Sequence, residues 1–156
     1  MGTYLLDTNV IIDFFNGRLP PSGQLLLLDS TPVISVITHI ELFSTNSLTP
    51  VERNKLEQFV QLATVYDILD ADIVRETIHI RLQRKIKLPD AIIAATALVH
   101  NHVLVTRNTA DFKQLVGFAA VGPACYVTCS TLIFGRMHGR EYGLGCRSSK
   151  FVYGQR

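Results

Sequence analysis

Apolar residues in this chain fall into two kinds of pattern. Short runs, TYLL (3 to 6), PVISV (32 to 36), TVYDIL (64 to 69) and VLVT (103 to 106), are β-prone and bounded by polar residues or proline, as buried strands are. FAAVG (118 to 122) fits as a fifth. Between them the spacing changes to that of helices. VIIDFFNG follows Thr8 or Asn9, either of which can cap it, and Gly17 closes it. A short helix fits residues 23 to 29, and ITHIELFS follows the second strand. TPVERNKLEQFVQLA (49 to 63) opens with a threonine cap, a proline at the first helical position and Glu52 three residues after Thr49, which is the pattern of a capping box. ADIVRETIHIRLQRKI (71 to 86) places its apolar residues mostly at helical spacing. PDAIIAATALVHN is small or apolar at almost every position after Pro89, so it predicts a central helix buried on most sides, and TADFKQLV predicts a short one.

Strands alternating with helices imply parallel pairing through right-handed crossovers, and hence an α/β fold with a sheet of four to five strands between helical layers. Composition agrees with one compact core: 47% of the 156 residues are hydrophobic and 18% charged, and no apolar run approaches the roughly 18 to 20 residues of a membrane helix. The start of the chain lacks the pattern of an export leader, which gives the cytoplasm as the expected location. Charge divides the chain in two. Residues 1 to 123 carry ten Lys and Arg against twelve Asp and Glu, a net of −2, while residues 124 to 156 carry five against one, a net of +4. All three cysteines and half of the ten glycines also lie in that second part, so a boundary is expected near Pro123.

In an open parallel sheet, ligands bind where the strands end and the helices begin. Asp7 follows the first strand, Glu41 lies in the helix after the second, Asp90 opens the apolar helix at Pro89, and Asp111 stands just beyond VLVT. Carboxylates gathered in a partly buried pocket repel one another unless a cation lies between them. An oxygen-only donor set suits Mg²⁺ or Mn²⁺ rather than zinc, and such ions share their coordination with phosphate oxygens, which points to phosphodiester chemistry. Each acid also has a plainer reading. Asp7 could cap a helix, Asp90 could complement a helix dipole, Glu41 could face solvent, and Asp111 could flank a short helix. Asp13, Asp67, Asp70 and Asp72 read as solvated surface or caps, and the histidines as packing or surface residues.

LLDTNVII with Asp7, ITHIELF with Glu41, LPDAIIAATAL with Asp90, and LVTRNTADF together resemble the PIN-domain ribonucleases, and among them the VapC-type toxins of toxin-antitoxin pairs. The resemblance spans roughly residues 3 to 122. It implies a three-layer α/β/α PIN-like domain over residues 1 to 123, an acidic pocket holding Mg²⁺ or Mn²⁺, and endonucleolytic cleavage of RNA. Asp7, Glu41 and Asp90 match the family's acids and its metal ligands. Where the family often has Asp directly after the TR pair this chain has Asn108, so either Asn108 or Asp111 completes the site. Thr8 and Thr106 match positions where a hydroxyl lines the pocket. Arg107 and the run RLQRKIK (81 to 87) are expected to guide the RNA backbone. A homodimer and a cognate antitoxin follow from the resemblance alone. The competing expectation is a catalytically silent scaffold that acts only by binding.

The resemblance stops at the basic, Cys- and Gly-containing extension of residues 124 to 156. Reading Cys125, Cys129, His138 and Cys146 as zinc ligands is opposed by their irregular spacing. The segment reads as an appended peptide rather than an independent domain.

Overall fold

The computed structural model describes residues 4 to 112 and 120 to 121, apart from the side chains of residues 110, 111, 120 and 121. The extension from residue 124 lies outside the described residues, as does the side chain of Asp111. Five strands, β1 (Tyr4–Leu6), β2 (Val33–Ser35), β3 (Thr64–Tyr66), β4 (Val103–Val105) and β5 (Ala120–Val121), form one sheet in the order β3-β2-β1-β4-β5. Every neighbouring pair is parallel, with Leu5 opposite both Val33 and Leu104.

The connections carry the helices α1 (Thr8–Phe15), α2 (Pro21–Asp29), α3 (Val36–Phe43), α4 (Pro50–Leu62), α5 (Ala71–Gln83), α6 (Leu88–Val99) and α7 (Thr109–Phe112). Because side chains alternate across a strand, successive strand residues feed two different cores. Leu5, Val33 and Leu104 pack with Ile73 and Ile80 of α5 and the inner face of α6. Leu6, Ile34 and Val105 pack with Val10 and Ile11 of α1, Leu27 of α2 and Leu56 of α4. The helix α3 contributes to both, through Ile37 and Leu42 respectively. This is the expected three-layer α/β/α arrangement, and among the described residues no helix is long and apolar enough to cross a membrane.

In α6, Ala91, Ala94 and Ala95 are fully buried, as the run of small residues predicts. The capping box at α4 is present in full, with Thr49 Oγ1 accepting from the Glu52 amide and Glu52 accepting from the Thr49 amide. Gly17 lies just past α1 with a positive φ of 65°, a conformation that favours glycine. Several boundaries differ from the sequence reading. β3 ends at Tyr66 rather than residue 69, because Asp67 accepts a bond from the Leu69 amide and turns the chain. α5 ends at Gln83, with Arg84 already extended. The cap of α1 is Asp7, as the plainer reading of that acid had it, rather than Thr8 or Asn9.

Candidate active site

Strand order fixes where a cleft forms. From β1 the chain moves outward to β2, and from β4 it moves outward to β5 on the other side, so the segments leaving these neighbouring strands diverge and leave a crevice at their carboxyl ends. A cleft of about 270 Å³ lies there, lined by Asp7, Thr8, Asn9, Ile12, Asp13, Arg18, Glu41, Asp90, Arg107 and Asn108.

Asp7 is the centre of the hydrogen bonding. Its amide continues the β1–β4 ladder by donating to the Val105 carbonyl at 3.0 Å, and its carboxylate then caps α1 by accepting from the Thr8 amide at 2.7 Å. The second carboxylate oxygen accepts from Thr106 Oγ1 at 2.5 Å and Asn9 Nδ2 at 2.6 Å. All three donors are uncharged. With the residue only 5% exposed, burial is the largest influence and raises the Asp7 carboxyl above its ordinary value of 3.8; the three bonds lower it and the charge of Glu41 raises it, with a net rise. A buried acid whose ionised form is disfavoured in this way suits a site that awaits a cation.

Two more acids reach the same cleft from other elements. Glu41, on the last turn of α3, is exposed and accepts a bond from the Thr8 hydroxyl. Asp90 sits in the first turn of α6 and is half-buried. The sequence expectation that folding brings residues 7, 41 and 90 to one cavity is met. Among the described residues, no three acids, histidines or cysteines are grouped closely enough to hold an ion as they stand. The all-oxygen donor set and the raised Asp7 nevertheless fit a hard divalent cation.

Thr8, Arg107 and Asn108 line the cleft as expected. Thr106 is fully buried beneath it, where its hydroxyl donates to Asp7 and accepts from the Asn108 amide at 3.0 Å, so it holds the wall in place. The basic residues Arg81, in the last turn of α5, and Arg84, Lys85 and Lys87, between α5 and α6, are all exposed. His39 makes an edge-on contact with Phe43 of its own helix.

Four cleft residues, Asn9, Ile12, Asp13 and Arg18, escaped the sequence reading. Asn9 joins Asp7 to the β4 side, since its side-chain Oδ1 accepts from the Arg107 amide at 3.0 Å. Asp13, expected at the solvated surface, is 6% exposed and pairs with Arg107 at 2.8 Å. The signal was present, because Asp13 follows Asn9 by four residues and Val10 by three, on the stripe of α1 that turns inward.

The PIN domain family matches residues 4–117. A comparison with curated protein sequences finds no match. Among solved structures, a toxin-antitoxin complex from Klebsiella pneumoniae is 32% identical, covers 78% of this chain and 98% of its own, and superposes with a TM-score of 0.65. VapBC2 from Rickettsia felis, bound to a DNA fragment from its promoter, is 26% identical over 77% of this chain and 98% of that one, with a TM-score of 0.65. DNA-bound VapBC from Salmonella typhimurium is 25% identical over 79% and 99%, with a TM-score of 0.66. A parallel sheet with an acid-lined cleft at its β1–β4 junction, together with a family match over most of the length, leads to one assignment: this chain belongs to the PIN domain family.

Proposed function

We propose that the chain is a Mg²⁺- or Mn²⁺-dependent endoribonuclease acting as the VapC-type toxin of a toxin-antitoxin pair. The observation that carries the reading is the presence of Asp7, Glu41 and Asp90, from three different connections of the sheet, in one cleft at its topological switch point. Asp7, Glu41 and Asp90 would hold the cation, which when bound lowers the pKa of water and offsets charge on the scissile phosphate.

The chain's own groups supply the remaining work. Thr106 and Asn9 fix the Asp7 carboxylate through its second oxygen, and the Thr8 hydroxyl holds Glu41. These acids orient the attacking water, and no histidine base is needed. Arg107 at the mouth of the cleft, with the exposed cations of residues 81 to 87, draws the RNA backbone towards an acidic site that would otherwise repel it. Asn108, whose amide is tied to Thr106, stands at the cleft where Asp111 was the other candidate for completing the site. An antitoxin partner is supported by the toxin-antitoxin complexes among the similar structures. A homodimer in the cytoplasm completes the proposal.

Purified chain incubated with a mixed RNA pool tests the reading. Cleavage is expected with Mg²⁺ or Mn²⁺, and its loss with EDTA and in the Asp7→Asn and Asp90→Asn variants. Cleavage indifferent to chelation and to both substitutions defeats it. RNA binding without any product supports the silent scaffold instead.

A further inference from the structure

Asp13 is a buried carboxylate in the cleft for which the proposed chemistry has no use, and its geometry gives it one. Its side chain is 9% exposed, and its Oδ2 accepts from a terminal N–H of Arg107, whose own side chain is 64% exposed. One turn earlier on the same face of α1, Asn9 accepts the Arg107 amide. The helix therefore grips Arg107 twice, by its main chain and by its guanidinium. An ion pair so open to solvent on one side adds little to stability, so energy is a poor explanation for burying the acid. Orientation is a better one. A guanidinium has five N–H groups in a rigid fork, and only one is taken by Asp13. The others are left at the mouth of a cleft whose remaining wall carries three acids, and Arg18, whose amide donates to the Asp13 carbonyl at 2.8 Å, lines the same cleft.

We propose that Asp13 is a positioning residue: it sets the Arg107 guanidinium to take an RNA phosphate adjoining the one that is cleaved. The inference rests on the ribonuclease reading for its substrate, and deepens it by separating residues that cut from residues that set the register of the strand. Asp13 acts only through Arg107 and touches neither water nor the scissile bond.

The test measures binding and turnover separately. Affinity is read by fluorescence anisotropy with a short, fluorescein-labelled, single-stranded RNA of mixed sequence, with Mg²⁺ present, in an Asp90→Asn background that keeps the probe uncut. Arg107→Ala alone strips a buried acid of its cation and can unfold the chain, so the double variant Asp13→Asn/Arg107→Ala, which removes both charges, serves as the reference. The double variant is expected to bind about tenfold more weakly, as for loss of one charge-assisted contact, and to flatten the salt dependence by about 0.7 in log–log slope, as for one phosphate of a single strand. Asp13→Asn, which keeps the arginine, is expected to lose most of the same affinity. In the otherwise native chain it raises KM by a similar factor while kcat stays within about twofold, a split that removal of uniform binding produces. Wild-type affinity in Asp13→Asn, or tighter binding, overturns the inference, as does a chain that binds no RNA. Binding that depends on Asp13 and Arg107, in a chain that cuts no RNA, refutes the ribonuclease reading and with it the place given to the bound phosphate beside a cleaved one, while keeping Asp13 as the residue that sets Arg107 for RNA.

Discussion

The two ends of α1 each bury an aspartate, and the molecule treats them in opposite ways. At the start, Asp7 is surrounded by neutral donors from Thr8, Asn9 and Thr106, and burial raises its pKa. Six residues later Asp13, almost as buried, is given an arginine. The same side chain, in the same helix and the same cleft, is left without a cation in one place and supplied with one in the other. What the contrast teaches is that compensation, rather than burial, separates an acid poised to bind from an acid that holds a neighbour in place.

Removing each charge sharpens this contrast most. Asp7→Asn is expected to reduce RNA cleavage by about 100-fold or more, since loss of a ligand forfeits several kcal/mol of charge stabilisation at about 1.4 kcal/mol per tenfold. Asp13→Asn should leave kcat nearly intact. Equal losses of kcat in the two variants, measured on the same RNA, would erase the distinction.

Next in size is the support beneath Asp7. Thr106→Val deletes a buried hydroxyl that serves Asp7 and the Asn108 amide, so unfolding by urea should report a loss of about 1–3 kcal/mol, with cleavage reduced alongside it. An unchanged unfolding midpoint would mean that neutral donors do not hold the acid.

The pH dependence follows from the direction of the Asp7 shift. Because the folded chain raises this carboxyl above 3.8, the favourable contribution of Asp7 is complete below that value and is lost as pH rises through the folded value. Near neutrality the ionised carboxylate burdens the fold, and on the proposed function a divalent cation would relieve it. Mg²⁺ should therefore raise the melting temperature near pH 7, by about 2–4 °C for each kcal/mol of relief in a chain of this size, and have no such effect below about pH 4. Asp7→Asn should abolish the Mg²⁺ response and Asp13→Asn should keep it. The reverse pattern would exchange their roles.

The smallest effect belongs outside the cleft lining. Thr49→Ala removes the cap of α4 and should cost about 1 kcal/mol by urea unfolding without altering cleavage of RNA. The Glu52 carboxyl, held below its usual range by bonds from Thr49, should lose its part of that contribution as pH falls through its lowered value.

Local patterns were legible wherever a residue serves one purpose. The Thr49–Glu52 box, the strands at 4–6 and 103–105, and the inward apolar face of α6 follow from propensity and period. Legibility failed where one residue serves two. Asp7 both caps α1 and faces the cleft, two roles that the sequence offered only as alternatives. Asp13 looked solvated because its partner, Arg107, is 94 positions away and meets it only across the β1–β4 junction. The β3 end depended on a single Asx turn at Asp67, which a strand-prone run does not announce.

The alanines of α6 have a further implication. Methyl side chains at 91, 94 and 95, buried among α5 and the strands, allow α6 to sit close to its neighbours, and the acid at 90 is fastened to that helix. Its reach is thus metered by how closely two backbones approach, so one additional methyl group beneath the helix, well away from any charge, would be felt as a misplaced carboxylate.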